Sequence, residues 1–384
     1  MRAMERPRLD PERQRQARVY ARLRRRAALL ERGLAAAYLA VWVATDAARP
    51  VAAWVETRAP GSWPIAVLAV AATLSLPWAL LTMPLSFYAG FHLPHRFGQS
   101  TQRLGAWLVD QIKGLIVGAA LGTPLLLALY ALMRASPADW WLMAAAGYGA
   151  FVFLLSIVAP VLLMPIFHRY RPLGEEHAEL VERLTRLSAA AGRHVRGVYA
   201  FDMSRRTRSA NAALVGLGGT RRIVVGDTLL AEFPPEEIEA VLAHELGHHV
   251  HADLPMGVAV GTLAAAAALW ATQAVLTDAV ARGALASAGD PAGFPLVSLV
   301  FFVAGLLGGP LQRLYSRWRE RRADDFAVRL TGRPAAFADA MVRLANQNLA
   351  DADPPRWAVI LDGTHPPLAE RIRRAEAASP ASPP

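Results

Sequence analysis

Five stretches of this chain, 60–91, 114–133, 140–167, 254–277 and 291–312, contain no Asp, Glu, Lys or Arg. At about 1.5 Å per residue, each is long enough to cross roughly 30 Å of hydrocarbon as a helix. Soluble domains have no need of such blocks, because their apolar residues recur at helix or strand periods with charges between them. A sixth stretch, 33–55, is interrupted by Asp46, Arg49 and Pro50. Its Tyr and Trp residues suit the two membrane interfaces, so it counts as a span, with an interfacial helix as the alternative. The expected fold is a multi-pass α-helical membrane protein of about six spans.

Charge then orients it. The formal net charge is +10, and Lys113 is the only lysine among 41 basic residues. A basic balance can mark a nucleic-acid partner or the cytoplasmic face of a membrane, and location decides between them. The basic residues crowd into 1–32, 92–113, 168–253 and 313–384, while the loops near 57–62, 134–139 and 278–290 are short and nearly free of them. Both termini are therefore expected in the cytoplasm, with the lipid bilayer and no nucleic acid as a partner. Arginine and alanine in place of lysine point to a GC-rich bacterial genome, hence a bacterial plasma membrane. The first apolar stretch follows a basic arm without a small-residue cleavage site, as in a retained signal anchor. There is no cysteine, so any metal site must be built from histidines and carboxylates.

The expected division is a basic cytoplasmic arm (1–32), a four-span region (33–167), a cytosolic segment (168–253), a transmembrane hairpin (254–312), a second polar segment (313–375) and a disordered Ala/Ser/Pro tail (376–384). Within 168–253 the pattern is α+β. Leu180, Val181, Leu184, Leu187 and Ala191 recur at helical spacing, with Gly192 as a C-cap. Residues 195–201 read as a strand, and 211–217 with 222–225 flank Gly218-Gly219-Thr220 as a hairpin. Pro234-Pro235-Glu236-Glu237 opens a helix, and another is expected near 334–349.

The helix from Pro235 carries His244-Glu245-Leu-Gly-His248. Positions i and i+4 share a helix face, so both imidazoles can reach one zinc ion, and Glu245, about 100° around, can serve as general base toward a water there. Histidines at an interface would show the same pattern, which makes a third ligand decisive. A catalytic zinc needs three protein ligands and one open position. Just after the last span comes Arg317-Trp-Arg-Glu320-Arg-Arg-Ala-Asp324. The hairpin between the two motifs returns Glu320 to the membrane face of His244 and His248, with Asp324 available as an acceptor behind a ligating histidine. The alternative is that Glu320 pairs with Arg317, Arg319, Arg321 or Arg322, a kind of exposed pair worth only about a few tenths of a kcal/mol.

Arg317-x-x-Glu320-x-x-Ala323-Asp324 after this helix resembles the M48 metallopeptidases, in their Ste24-type CAAX prenyl protease branch. Further blocks carry the resemblance in order: His95-Arg-Phe-Gly98 with Asp110-Gln-Ile-Lys113, Pro165 to Leu173, Ser204 to Ala212, Arg222 to Leu230, and Thr364-His365-Pro-Pro-Leu-Ala-Glu370-Arg371-Ile372. It implies a gluzincin-type zinc peptidase domain at the cytoplasmic face, with one Zn2+ per chain held by His244, His248 and Glu320. Glu245 is then the base and Asp324 the support of a ligand. Asn211 and Ala212 lie on an edge strand that pairs with the substrate backbone. His365 and Arg371 approach the cleft and stabilise the oxyanion. Peptides or membrane proteins are the implied substrates, with membrane-protein quality control as the expected physiological context. In this reading the basic arm stands in place of the family's first span, and His249 and His251 are interfacial, not ligands. A membrane signal transducer carrying a zinc module, or a non-catalytic scaffold, are the alternatives; the intact His244, Glu245, His248 and Glu320 favour an endopeptidase.

Overall fold

Backbone without water must satisfy its own N–H and C=O groups, and each uncharged block does so as helix. The computed structural model describes residues 6–216 and 218–378. Its first half contains α1 (Pro11–Ala44), α2 (Ala48–Arg58) and α3 (Trp63–Phe87), then a π-helical turn into the short α4 (Leu93–Arg96). α5 (Leu104–Ala135), α6 (Trp140–Val158) and α7 (Met164–Phe167) follow. Among the described residues six helical stretches are long and apolar enough to cross a bilayer: Pro11–Ala44, Trp63–Arg96, Leu104–Ala135, Trp140–Val158, Asp253–Ala281 and Pro291–Thr331. Leu263 and Leu307 on these helices are 72% and 70% exposed, an arrangement that lipid tolerates and water does not.

The structure moves the first span. Instead of covering 33–55, it belongs to α1, which runs unbroken for 34 residues from an Asp10 N-cap. It stops at a turn where Asp46 has a φ of 50° and its carboxylate pairs with Arg49, and α2 is a separate helix. The basic segment is thus largely the first half of α1, not an arm. It is tied to the C-terminal segment: Arg13 Nε donates to Asn346 O at 2.9 Å, Gln14 bridges Ala350 O and Ala352 N, and Arg32 pairs with Asp362 at 3.0 Å.

The polar segment after α7 forms a four-stranded sheet from β1 (Tyr170–Pro172), β2 (Val198–Phe201), β3 (Ala212–Val215) and β4 (Arg222–Gly226), in the order β1-β2-β4-β3. β2 and β4 are parallel, and β3 returns on β4 as the hairpin the glycines announce, Ala212 lying opposite Val225. Leu217, within that hairpin, lies outside the described residues. β1 was not legible, since Tyr-Arg-Pro has no apolar alternation; it is an edge strand held by β2. α8 (Ala178–Ala190) turns Leu180, Leu184 and Leu187 inward, and Gly192 just past it has a φ of +66°. α9 (Asp227–Glu232) and α10 (Pro235–Val250) complete this segment, where Ile223, Leu242 and Leu246 share a core with Phe337.

α11 (Asp253–Ala281) and α12 (Phe294–Thr331) make the hairpin. At about 1.5 Å per residue the 38-residue α12 is about 57 Å long, nearly twice the hydrocarbon thickness, so its C-terminal half extends beyond the bilayer into the polar segment. It ends at Gly332, whose left-handed φ of +61° suits a residue without Cβ. α13 (Pro334–Gln347), α14 (Arg356–Asp362) and α15 (Leu368–Ala377) pack around that half. Of the expected irregular tail, Glu376 and Ala377 are helical, and 379–384 lie outside the described residues.

Candidate metal centre

α10 starts with Pro235 at its first turn and with Glu236 and Glu237 against its N-terminal dipole. One turn apart, His244 and His248 bring their Nε2 atoms within 3.1 Å of each other. α12 supplies the third donor: Glu320 Oε2 lies 3.2 Å from His244 Nε2, and Glu320 Oε1 3.5 Å from His248 Nε2. The two helices approach closely because of Gly247, where a Cβ would stand 3.0 Å from Ala323 Cα and 3.2 Å from Ala323 O. The glycine of the His-Glu-x-x-His motif is therefore what lets α12 deliver Glu320.

Bonds of about 2.0–2.1 Å in a tetrahedral site put ligand atoms about 3.3 Å apart. The closest approaches among the three side chains, 3.1, 3.2 and 3.5 Å, the last two to different oxygens of Glu320, are of that size, and one ligand atom from each lies within 4.8 Å of the others. Glu320 Oε2 is moreover buried with no hydrogen-bond partner, as suits an oxygen directed at a cation. The residues present fit a metal ion.

Each imidazole is held from behind. His244 Nδ1 lies 2.8 Å from Asp324 Oδ1, as the spacing of Glu320 and Asp324 suggested. Burial pushes the His244 imidazole down, but the carboxylates of Asp324 and Glu320 outweigh it and raise its pKa to about 9. His248 Nδ1 lies 2.7 Å from Asp253 Oδ2, and Arg319 Nε is 3.1 Å from the other oxygen of that acid. Asp253 was missed in the sequence. Its approach depends on Ala252, a non-glycine residue at φ 54° that breaks α10 from α11 and turns the acid back. Glu245 is half-buried; among the described residues no group hydrogen-bonds its carboxylate. Burial raises its pKa above the usual glutamate range.

The arginines around Glu320 are engaged elsewhere, so the salt-bridge alternative is not what the fold adopts. Arg317 donates to Val359 O and Gly363 O at 2.8 and 2.7 Å, fixing the loop that carries His365. Arg319 meets Asp253, Arg321 pairs with Glu370 at 2.8 Å, and Arg322 lies over Trp318. His365 is brought to the site, its Nε2 3.3 Å from Glu320 Oε1, and it is exposed. Arg371 is not where the sequence reading put it. It is buried behind His244, with bonds of 2.9 and 2.6 Å to Asp324 and its Nη2 3.4 Å from His244 Nδ1. Asn211 is exposed at the start of edge strand β3, with its carbonyl bonded to Gly226 N, and Ala212 is buried beside it. His249 and His251 stay out of the triangle, the first on Leu214 O at 2.9 Å and the second edge-on to Phe326.

Spanning helices that carry a His-Glu-x-x-His helix and a distant glutamate into one donor triangle define a membrane-embedded metallopeptidase. Comparison with known proteins agrees: the model described as peptidase family M48 matches residues 175–379, and one described as CAAX prenyl protease N-terminal, five membrane helices, matches residues 4–169. The chain belongs to peptidase family M48. The second match begins at residue 4 and so includes the basic segment. An uncharacterized metalloprotease, YhfN of Bacillus subtilis, is 28% identical over 340 residues, 88% of this chain and 79% of its own length. CAAX prenyl protease 1 of Saccharomyces cerevisiae is 35% identical over 176 residues, 44% of this chain and 37% of its own. The Arabidopsis thaliana homolog of that protease is 30% identical over 313 residues, 78% and 70% of the two chains. The crystal structure of S. mikatae Ste24p shares the fold, with a TM-score of 0.85 and 23% identity over 97% of this chain and 92% of that one.

Proposed function

We propose that this protein is a zinc-dependent endopeptidase of a bacterial plasma membrane, cutting peptide bonds at the cytoplasmic interface. The observation that carries the reading is the cluster of His244, His248 and Glu320, one ligand atom of each within 4.8 Å of the others and flanked by an unpaired Glu245. One zinc ion held there would polarise the scissile carbonyl and acidify a water molecule. Glu245, kept basic by burial, accepts the proton of the attacking water and passes it to the leaving amine nitrogen. His365 is placed to donate a hydrogen bond to the developing oxyanion. Asp324, clamped by Arg371, and Asp253, clamped by Arg319, hold the two imidazoles in the orientation that directs Nε2 inward. The edge of β3 at Asn211 and Ala212 takes up the extended substrate backbone.

The basic flanks of the spans support a cytoplasmic site and cytoplasmic termini. The likeness to a Bacillus protein and the arginine-for-lysine composition support a bacterial source. The relatives named for CAAX prenylated substrates share the peptidase, but a bacterium has no general use for prenyl processing. Damaged or mislocalised membrane proteins are the proposed substrates, in quality control. Substrate trapping with Glu245→Gln in native membranes tests this: membrane-protein fragments should be retained above the wild-type background. Retention of nothing beyond that background would overturn the assignment.

A further inference from the structure

β3 is an edge strand, and its register decides which of its peptide groups the sheet uses. Gly226 N donates to Asn211 O at 2.9 Å, in the same register that sets Ala212 opposite Val225 and Ala213 opposite Val224. Hydrogen-bonded and non-hydrogen-bonded pairs alternate along an antiparallel ladder. Asn211, Ala213 and Val215 therefore turn their peptide groups toward β4, and Ala210, Ala212 and Leu214 turn theirs away.

The three outward positions are treated differently. Ala210 N–H donates to Asn348 Oδ1 at 2.7 Å, and Asn348 Nδ2 donates to Ala210 O at 3.1 Å. The carboxamide thus pairs with Ala210 as the peptide group of another strand would. At the other end, His249 Nε2 donates to Leu214 O at 2.9 Å. Ala212 lies between them, 3% exposed, and its N–H and C=O have no partner among the described residues. Buried peptide groups are almost always paired, so an unpaired one marks the place for a ligand's own N–H and C=O.

We propose that Asn348 and His249 bracket the pairing edge of β3 to the single residue Ala212, so that an extended peptide is held in one register. This rests on the reading of β3 as the substrate strand. Both are positioning residues, acting through the strand and not on the reacting atoms. Outward groups recur every second residue. Freeing Ala210 or Leu214 therefore offers a peptide new ladder bonds and lets it slip by two residues, carrying the scissile bond with it.

The test uses the full chain in proteoliposomes with a set of unstructured peptides of one core sequence and graded extensions, cleavage being mapped by mass spectrometry. Wild type should cut at one bond, with KM insensitive to extension past the bracket. Asn348→Ala and His249→Ala should each add cleavage two residues away. For peptides long enough to reach the freed position, KM should fall roughly twofold to tenfold, the worth of one added hydrogen bond. Asn348→Asp keeps the acceptor for Ala210 N–H and frees only its carbonyl, and should show the same slip if the alanine variant does not fold. Unchanged cleavage maps and length dependence, in variants that match wild type in zinc content and melting, would overturn the bracket. The underlying reading is tested separately by N-methylating the core peptide one nitrogen at a time with wild type. A single sensitive nitrogen supports pairing at Ala212, and none at all would remove β3 as the substrate strand whatever the two variants do.

Discussion

Replacing Gly247 with alanine sets two effects against each other. Alanine is the better helix former by up to about 1 kcal/mol. At this position, however, its Cβ would lie 3.0 Å from Ala323 Cα, 3.2 Å from Ala323 O and 3.3 Å from Ala323 Cβ. Carbon contacts settle near about 3.5–4.0 Å, so α10 and α12 would have to part by roughly half an ångström. Ala323 is fully buried and two of the three atoms are backbone, so no rotamer change relieves the clash. Glu320 sits one turn earlier on α12 and moves with it, lengthening its 3.2 and 3.5 Å separations from the histidines. Metal–ligand distances tolerate only about 0.2 Å. The expected outcome is a zinc affinity roughly 10–100-fold weaker, the scale seen when ligand support is lost. Overpacking of about 1–3 kcal/mol should also lower the melting temperature. Dialysis against chelators of graded strength, with zinc counted by mass spectrometry and melting followed in detergent, reads both. A variant that keeps zinc like wild type and melts higher would refute the close-approach reasoning, because helix propensity would have won.

Three further outcomes follow from the groups behind the ligands. Asp253→Asn should weaken zinc retention about 10–100-fold by loosening His248, measured as faster loss to a chelator; unaltered loss would remove Asp253 from the support of the site. Arg371→Ala leaves Asp324 buried beside His244 without its partner, a change worth about 3–5 kcal/mol, so thermal melting should drop clearly. An unchanged melting curve would contradict its place in the interior. The His244 pKa of about 9 means that, without metal, this imidazole is protonated at neutral pH, and binding must expel that proton. Apparent zinc affinity should then climb by up to about tenfold per pH unit from pH 7 and level off above about 9; a flat profile over that range would show that no such proton is displaced.

The metal triangle was legible because its parts are local or topological. An i, i+4 pair is written in the spacing of His244 and His248, and the hairpin obliges Glu320 to return to their side. Asp324 was legible for the same reason, one helical turn beyond Glu320. Asp253 was not, since its approach depends on a single left-handed residue, Ala252, that no side-chain pattern announces. The direction of Arg371 was not legible either, because it is set by how α15 packs on α12 and α13, a tertiary matter. The first span was misplaced for a related reason. A run of arginines reads as a free arm, and only contacts such as Arg13 to Asn346 and Arg32 to Asp362 show it continuing as helix along the peptidase half. In the sheet, the hairpin was written in its glycines, while β1 exists only because β2 has an edge to offer.

The central claim, hydrolysis by one zinc site with Glu245 as its base, is tested most directly by measuring zinc content and peptide hydrolysis together in wild type and Glu245→Gln. Both proteins should carry one zinc per chain, and the variant should lose about 100-fold or more of its rate, the range for a lost general base. Full hydrolysis by the glutamine variant, or by wild-type protein shown to be free of zinc, would contradict it.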